Sequence, residues 1–247
     1  METLKLLITT GDSITNFPSG PQVTWPKQLS DRLNCETIYG GQAGASNGLI
    51  ARYTMNYVLE ALKTHKPGEI LVGVMWGIPA VTDIYNSNFS IPYHVHENPT
   101  PNVRNPISVL GGENFYIVHP FWDDPASTLW NEKFYDPVGS RIIALEHILR
   151  IQWFLERHNI TYFMSESAMD SLIDNEYLSD PDIKIVYDQI DFSKFVNQEH
   201  KKTFHRWATY ESGFPPMVEN DPHPPTEAHV LYVEQYIMPH LKKRNII

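Results

Sequence analysis

A serine, a histidine and an aspartate stand in two short stretches at opposite ends of the chain: Gly11-Asp12-Ser13 directly after an apolar run, and Asp221-Pro222-His223-Pro224 ahead of the last helical stretch. These three side-chain types can make a hydroxyl attack an acyl carbon at neutral pH. The serine is the nucleophile, the imidazole the general base, and the carboxylate holds the imidazole in the right tautomer. The chemistry requires a fold that brings residues 13 and 223 together. Taken alone, Gly11-Asp12-Ser13 also reads as an ordinary turn, because all three residue types favour turns. Pro222, Pro224 and Pro225 likewise suit a turn that opens a helix capped by Thr226. That explains the prolines but not the histidine. His229, on the helix face nearest His223, is expected to pack or to cap rather than to take part in chemistry.

The elements that must position these groups alternate between strand and helix. Residues 4–10 are apolar and β-branched and stop at Gly11, as expected of a strand buried on both faces of a parallel sheet. A helix is predicted from Thr24, the N-cap, with Pro26 in its first turn and Trp25, Leu29 and Leu33 at helical spacing. Residues 36–39 predict a second strand, residues 40–44 a loop of little bulk, and residues 47–64 a helix carrying Ile50, Tyr57, Leu59 and Leu62. Residues 70–76 are almost wholly apolar and predict a central third strand. From Gly77 to about Pro137 the sequence is dense in proline, asparagine and aromatic residues without sustained periodicity, and is read as a substrate-facing insertion. Residues 139–158 predict a long helix with Ile142, Leu145, Leu149, Trp153 and Phe154 inward, and residues 160–164 a further strand. Helices are expected over 200–210 and 226–243, whereas 168–198 carries no firm assignment. The whole of 1–247 reads as a single three-layer α/β domain, with 77–137 as its insertion.

In an open parallel sheet the loops after the strand C-termini line one crevice, and Ser13, Gly44 and Gly77 all fall there. A serine on a tight turn projects its hydroxyl from the crevice floor, and its own N–H can point at the oxygen that becomes negative during attack. Gly44 can supply a second donor, because no side chain keeps the substrate oxygen from its amide.

Composition bounds the alternatives. The chain has 247 residues, 42% of them apolar, enough for one sizeable core. A formal charge of −10 leaves no basic stripe for phosphates, so nucleic acid and anionic membranes are poor partners, and a neutral or cationic small-molecule substrate is expected. The single cysteine, Cys35, forms no internal disulfide and reads as a buried thiol rather than a nucleophile. No signal peptide or membrane-spanning stretch is apparent, so a cytoplasmic protein is expected, and association with a virion is compatible with the same absence. Oligomeric state is left open. His94-Val95-His96-Glu97 has ligand-type spacing, but a lone His-x-His in a proline-rich loop is read as polar surface, and no metal is expected. Phe115, Tyr116, Phe121, Trp122, Trp130, Phe134 and Tyr135 are read as anchors that order a long loop rather than as a sugar-stacking surface.

Set in chain order, these pieces resemble the SGNH (GDSL-type) hydrolases. Gly11-Asp12-Ser13-Ile14-Thr15 is similar to the first block of that family. Thr24-Trp25-Pro26 is similar to the opening of its first helix, Ala43-Gly44-Ala45-Ser46-Asn47 to its glycine block, and Asp221-Pro222-His223-Pro224 to its last block. The resemblance, with a Trp76 variant that looks like a bacteriophage or marine-virus branch, implies a flavodoxin-like α/β/α sandwich and a serine esterase without a cofactor. It implies Ser13 as nucleophile, His223 as base, and the amides of Ser13 and Gly44 in the oxyanion hole. The substrate it suggests is a small acyl ester, including an acetyl group on carbohydrate. The same residues would serve an O-acyltransferase, and a non-catalytic or virion-associated binding protein could keep the fold. Two departures stand out. Gly77-Ile78-Pro79-Ala80 replaces Gly-x-Asn-Asp, so the usual asparagine donor is lost, and Asn47 is the candidate to replace it. The family's aspartate, three residues before the histidine, is here Asn220; Asp221 is the better third member because only a carboxylate stabilises the imidazolium.

Overall fold

Four parallel strands in the spatial order β2-β1-β3-β6 carry the site: β1 (Leu6–Gly11), β2 (Glu36–Gly41), β3 (Ile70–Trp76) and β6 (Thr161–Glu166). The computed structural model describes residues 3–16, 24–85, 115–120, 125–167, 177–196, 203–215 and 223–247. Every residue of β1 and β3 is buried, so neither face of these two central strands meets water. Alternate residues feed opposite layers. Leu6, Ile8, Val72, Val74 and Trp76 pack into a core shared with α2 (Asn47–Ala61) and with a long helix over Pro137–Arg157. Leu7, Leu71, Met75 and Phe163 pack into a second core with α1 (Trp25–Leu33) and the C-terminal helices.

The direction of winding reverses between β1 and β3, because β2 lies on one side of β1 and β3 on the other. Loops leaving the two central strands diverge there and open a crevice. Ser13 follows β1 and Gly77 follows β3 at that point. The register pairs Trp76 with Glu166 and Gly11 with Gly41, which sets the strand ends level around the crevice.

Part of the stretch 77–137 is regular. β4 (Thr82–Tyr85) pairs antiparallel with β5 (Phe115–Val118), and α3 (Pro125–Lys133) precedes the long helix, now α4 (Pro137–Arg157). Four-residue strands and a nine-residue helix are too short to display a period against the surrounding prolines. His94, His96, Phe121 and Trp122 lie outside the described residues.

Trp153, expected inward, faces solvent, and so does Leu59 on α2. Leu59 is 45% exposed and Trp153 is 55% exposed. At 100° per residue Leu59 stands opposite Ile50, and two successive i+4 steps carry Trp153 about 80° away from Leu145. Of the helix expected over 200–210, residues 200–202 lie outside the described residues; α6 (Phe204–Arg206) continues as a π-helical turn over Trp207–Glu211. The last helix is α7 (Thr226–Tyr232), a π-helical turn over Val233–Ile237 and α8 (Met238–Lys243). The intervening short helix α5 is not placed by sequence order alone; it covers Pro181–Tyr187, ahead of α6. Phe195 bridges Met164 at the edge of β6, a single parallel pair where a fifth strand would begin. Among the described residues no helix is long and apolar enough to cross a membrane.

Candidate active site

Asp12 builds the turn that presents Ser13. Its carbonyl accepts the N–H groups of Thr15 at 3.0 Å and Asn16 at 3.2 Å, and its carboxylate Oδ1 accepts the Ile14 N–H at 3.0 Å. The other carboxylate oxygen accepts the Ser167 hydroxyl at 2.5 Å, and the Ser167 N–H donates to the Trp76 carbonyl at 2.8 Å. The ends of β1, β3 and β6 are thereby tied together beneath the serine. Burial pushes the Asp12 carboxyl up from its ordinary value, opposed by the Ser167 and Ile14 hydrogen bonds and by the nearby His223. With the next three amides committed, the Ser13 N–H is left without an acceptor among the described residues.

Ser13 Oγ and His223 Nε2 lie 2.7 Å apart, and both residues are half-buried. With Nε2 unprotonated, the serine hydroxyl donates in this bond. A chain of contacts holds the two ends of the sequence together. The Trp25 indole N–H donates to Thr15 Oγ1 at 3.2 Å, and the Trp25 backbone N–H donates to His229 Nδ1 at 3.2 Å. His229 on α7 therefore caps α1, while Thr24, the expected N-cap, makes no side-chain capping bond. The imidazole accepts where the Thr24 hydroxyl would otherwise have done so. Burial, and then the neighbouring His223, push the His229 pKa down to about 3, so its ring is neutral and able to accept. The Tyr232 and Ser165 hydroxyls, 2.5 Å apart, fix α7 over β6. Asp221 and Asn220, the candidates to orient His223, lie outside the described residues.

Gly44 has φ +71°, a left-handed conformation that L side chains rarely adopt. The Ala45 N–H closes this turn on the Gln42 carbonyl at 3.1 Å, and the Gln42 N–H reaches the Gly11 carbonyl at 2.9 Å. The glycine loop is thus tied to the end of β1. Among the described residues the Gly44 N–H also has no acceptor.

Asn47 and Gly77 behave differently from expectation. The Gly77 N–H donates to Asn47 Oδ1 at 2.8 Å, and Asn47 Nδ2 donates back to the Gly77 carbonyl at 3.3 Å. The Gly77 amide is spent inside the protein and is not an oxyanion donor. Asn47, 2% exposed, clamps the loop after β3 instead of standing free to replace the missing asparagine. Pro79, which occupies that asparagine's place, has no N–H to offer.

Sequence reasoning missed the groups that brace this region. Ser167 falls immediately after β6, a position the sheet topology would have marked. Asp83 pairs with Arg52 and accepts the hydroxyl of Ser46, which also caps α2 by accepting the Leu49 N–H at 3.0 Å. Cys35 is half-buried, and burial pushes its thiol pKa up, away from reactivity. Among the described residues no group of three or more His, Cys, Asp or Glu side chains is gathered as a metal site.

A family profile described as a family of unknown function, DUF6071, matches residues 19–247. No curated protein matches the chain. Among solved structures the chain is similar to TesA, with 12% identity, coverage of 98% of this chain and 100% of that one, and a TM-score of 0.50. It is also similar to AlinE4, an SGNH-hydrolase family esterase, with 14% identity, 99% and 98% coverage and a TM-score of 0.45. A lipolytic G-D-S-L family protein from Veillonella parvula is 14% identical, with 94% and 97% coverage and a TM-score of 0.42. At such identities the likeness is one of fold alone: the chain shares a parallel-sheet α/β architecture with TesA.

Proposed function

Because the chain belongs to DUF6071, a family of unknown function, its chemistry must be read from its own residues, and we propose that it is a serine esterase cleaving small acyl esters through an acyl-enzyme. The observation that carries this reading is the 2.7 Å contact between Ser13 Oγ and His223 Nε2 at the crevice between β1 and β3.

In the proposed reaction Ser13 Oγ attacks the ester carbonyl carbon while its proton passes to His223 Nε2. The carbonyl oxygen becomes negative and is held by the N–H groups of Ser13 and Gly44. Collapse of the tetrahedral intermediate breaks the bond to the alcohol oxygen, which leaves with the proton from His223. Water then attacks the acyl-enzyme, giving a proton to His223, and the acid departs as that proton returns to Ser13 Oγ. Asp221 is the proposed partner that orients the imidazole. The acyl group is small, with acetyl as the leading case.

Hydrolysis of p-nitrophenyl acetate tests this reading. The protein turns the ester over, and both Ser13→Ala and His223→Ala reduce the rate to the uncatalysed background. Equal rates for the protein and its Ser13→Ala variant would overturn it.

A further inference from the structure

A buried carboxylate adjoins the proposed reaction centre. Asp12 immediately precedes Ser13, and its side chain crosses the end of β3: Oδ2 accepts the Ser167 hydroxyl at 2.5 Å beyond the end of β6, and a Cβ on Gly77 would come within 3.1 Å of that same oxygen. The absence of a side chain at Gly77 keeps this path open. A turn alone asks for less. The bond that a turn-building Asp uses is the one from the Ile14 N–H to Oδ1, 3.0 Å, and a neutral asparagine accepts it equally well. The reach of the second oxygen to β6 serves something else.

Strand order puts β2, whose following loop carries Gly44, on one side of β1, and β3 and β6 on the other. Asp12 Oδ2 is therefore drawn away from the Gly44 amide, where a negative charge would oppose the oxyanion. The helix that His223 leads into, α7, is tied to β6 as well, by the Tyr232 and Ser165 hydroxyls 2.5 Å apart. Burial raises the cost of charging the Asp12 carboxyl; the Ser167 and Ile14 hydrogen bonds, and then the charge of His223, lower it. Such coupling is reciprocal, so an ionised Asp12 favours the imidazolium in turn. His229, the other ring that feels His223, is pushed by burial and then by His223 down to about 3, stays neutral, and supplies no countercharge. Asp221 lies outside the described residues.

On the esterase reading above, on which this inference rests, His223 becomes positively charged twice, once as Ser13 attacks and once as water does. We infer that Asp12 is a positioning residue for that reaction: its carboxylate, held by Ser167 across the end of β3, stabilises the imidazolium form of His223 by its charge, alongside the orientation proposed for Asp221. It acts through His223 and transfers no proton itself.

Asp12→Asn removes the charge and keeps the bonds. Asparagine Oδ1 accepts the Ile14 N–H, Nδ2 donates to Ser167 Oγ, and the Ser167 hydroxyl turns fully to the Trp76 carbonyl, 3.1 Å away. With p-nitrophenyl acetate the variant shows a kcat about tenfold lower at unchanged KM, and the acid limb of its kcat/KM profile moves to lower pH by about half a unit or more. A brace without an electrical role would leave that limb in place. A second measurement needs neither turnover nor a folded Asp12 variant: the Asp12 carboxyl carbon is followed by NMR across pH in the protein and in His223→Gln. Its titration midpoint moves up by about half a unit or more in His223→Gln, because a positive charge has been taken away. That shift in a protein that hydrolyses no ester would support the coupling and remove the esterase. Ester hydrolysis with the acid limb unmoved in folded Asp12→Asn, or with an Asp12 titration indifferent to His223→Gln, would overturn the inference and leave the esterase standing.

Discussion

Replacing Asn47 by alanine separates the two roles open to this side chain. Asn47 is 2% exposed, and its carboxamide holds both backbone polar groups of buried Gly77, the N–H at 2.8 Å and the carbonyl at 3.3 Å. Asn47→Ala leaves both without their partner. A buried polar group that loses its hydrogen bond costs about 1–3 kcal/mol. The longer contact to the carbonyl belongs at the lower end of that range, and together the two losses amount to about 2–4 kcal/mol. With a urea m-value near 2–3 kcal/mol/M, the midpoint of urea unfolding, followed by far-UV circular dichroism, falls by about 1 M without a change in slope. A side chain acting only as an oxyanion donor would show the opposite pattern, a loss of about 10²–10³ in kcat with stability nearly intact. A midpoint lowered by less than about 0.2 M would refute the clamp.

Gly44→Ala forces a Cβ onto a backbone with φ +71° and strains the donor loop; a loss of about 1–2 kcal/mol in thermal unfolding accompanied by lower kcat on acetyl esters is expected, and unchanged values for both would contradict the assignment. Acid should destabilise the fold through one buried histidine, His229, and two half-buried ones, His147 and His240. Burial pushes His229 down to about 3 and His147 and His240 to about 4, so the unfolded chain takes up protons near pH 6.5 that the folded chain refuses until pH 4 or below. Their contribution is therefore complete above about pH 7 and is lost as pH falls from 6.5 toward 4. Urea midpoints at pH 7.5, 6 and 5 follow this loss, His229→Gln makes the decline shallower, and a flat profile would contradict it.

The sequence made the sheet and the two ends of the site readable because each carries strong local signals. The continuous apolar runs that became β1 and β3 admit little but central parallel strands, and Gly11-Asp12-Ser13 sits where such a strand must turn. His223 was legible as a histidine that helix-opening prolines do not explain. What was not legible depends on contacts between distant residues. That His229 rather than Thr24 caps α1 follows from α7 packing against α1, and no local pattern encodes it. Asn47 looked like a free donor because its partner, the backbone of Gly77, has no sequence signature at all. Trp153 misled for a simpler reason: an apolar side chain on a helix says nothing of its angle until the neighbours that define the buried stripe are counted.

The central claim is that Ser13 is a nucleophile activated by His223. Incubation of the folded protein with a fluorophosphonate probe, followed by peptide mapping, addresses it directly. The account predicts a single label on Ser13 that is absent in Ser13→Ala and much slower to form in His223→Ala. Folded protein that takes no label, or takes it equally well without His223, would contradict it.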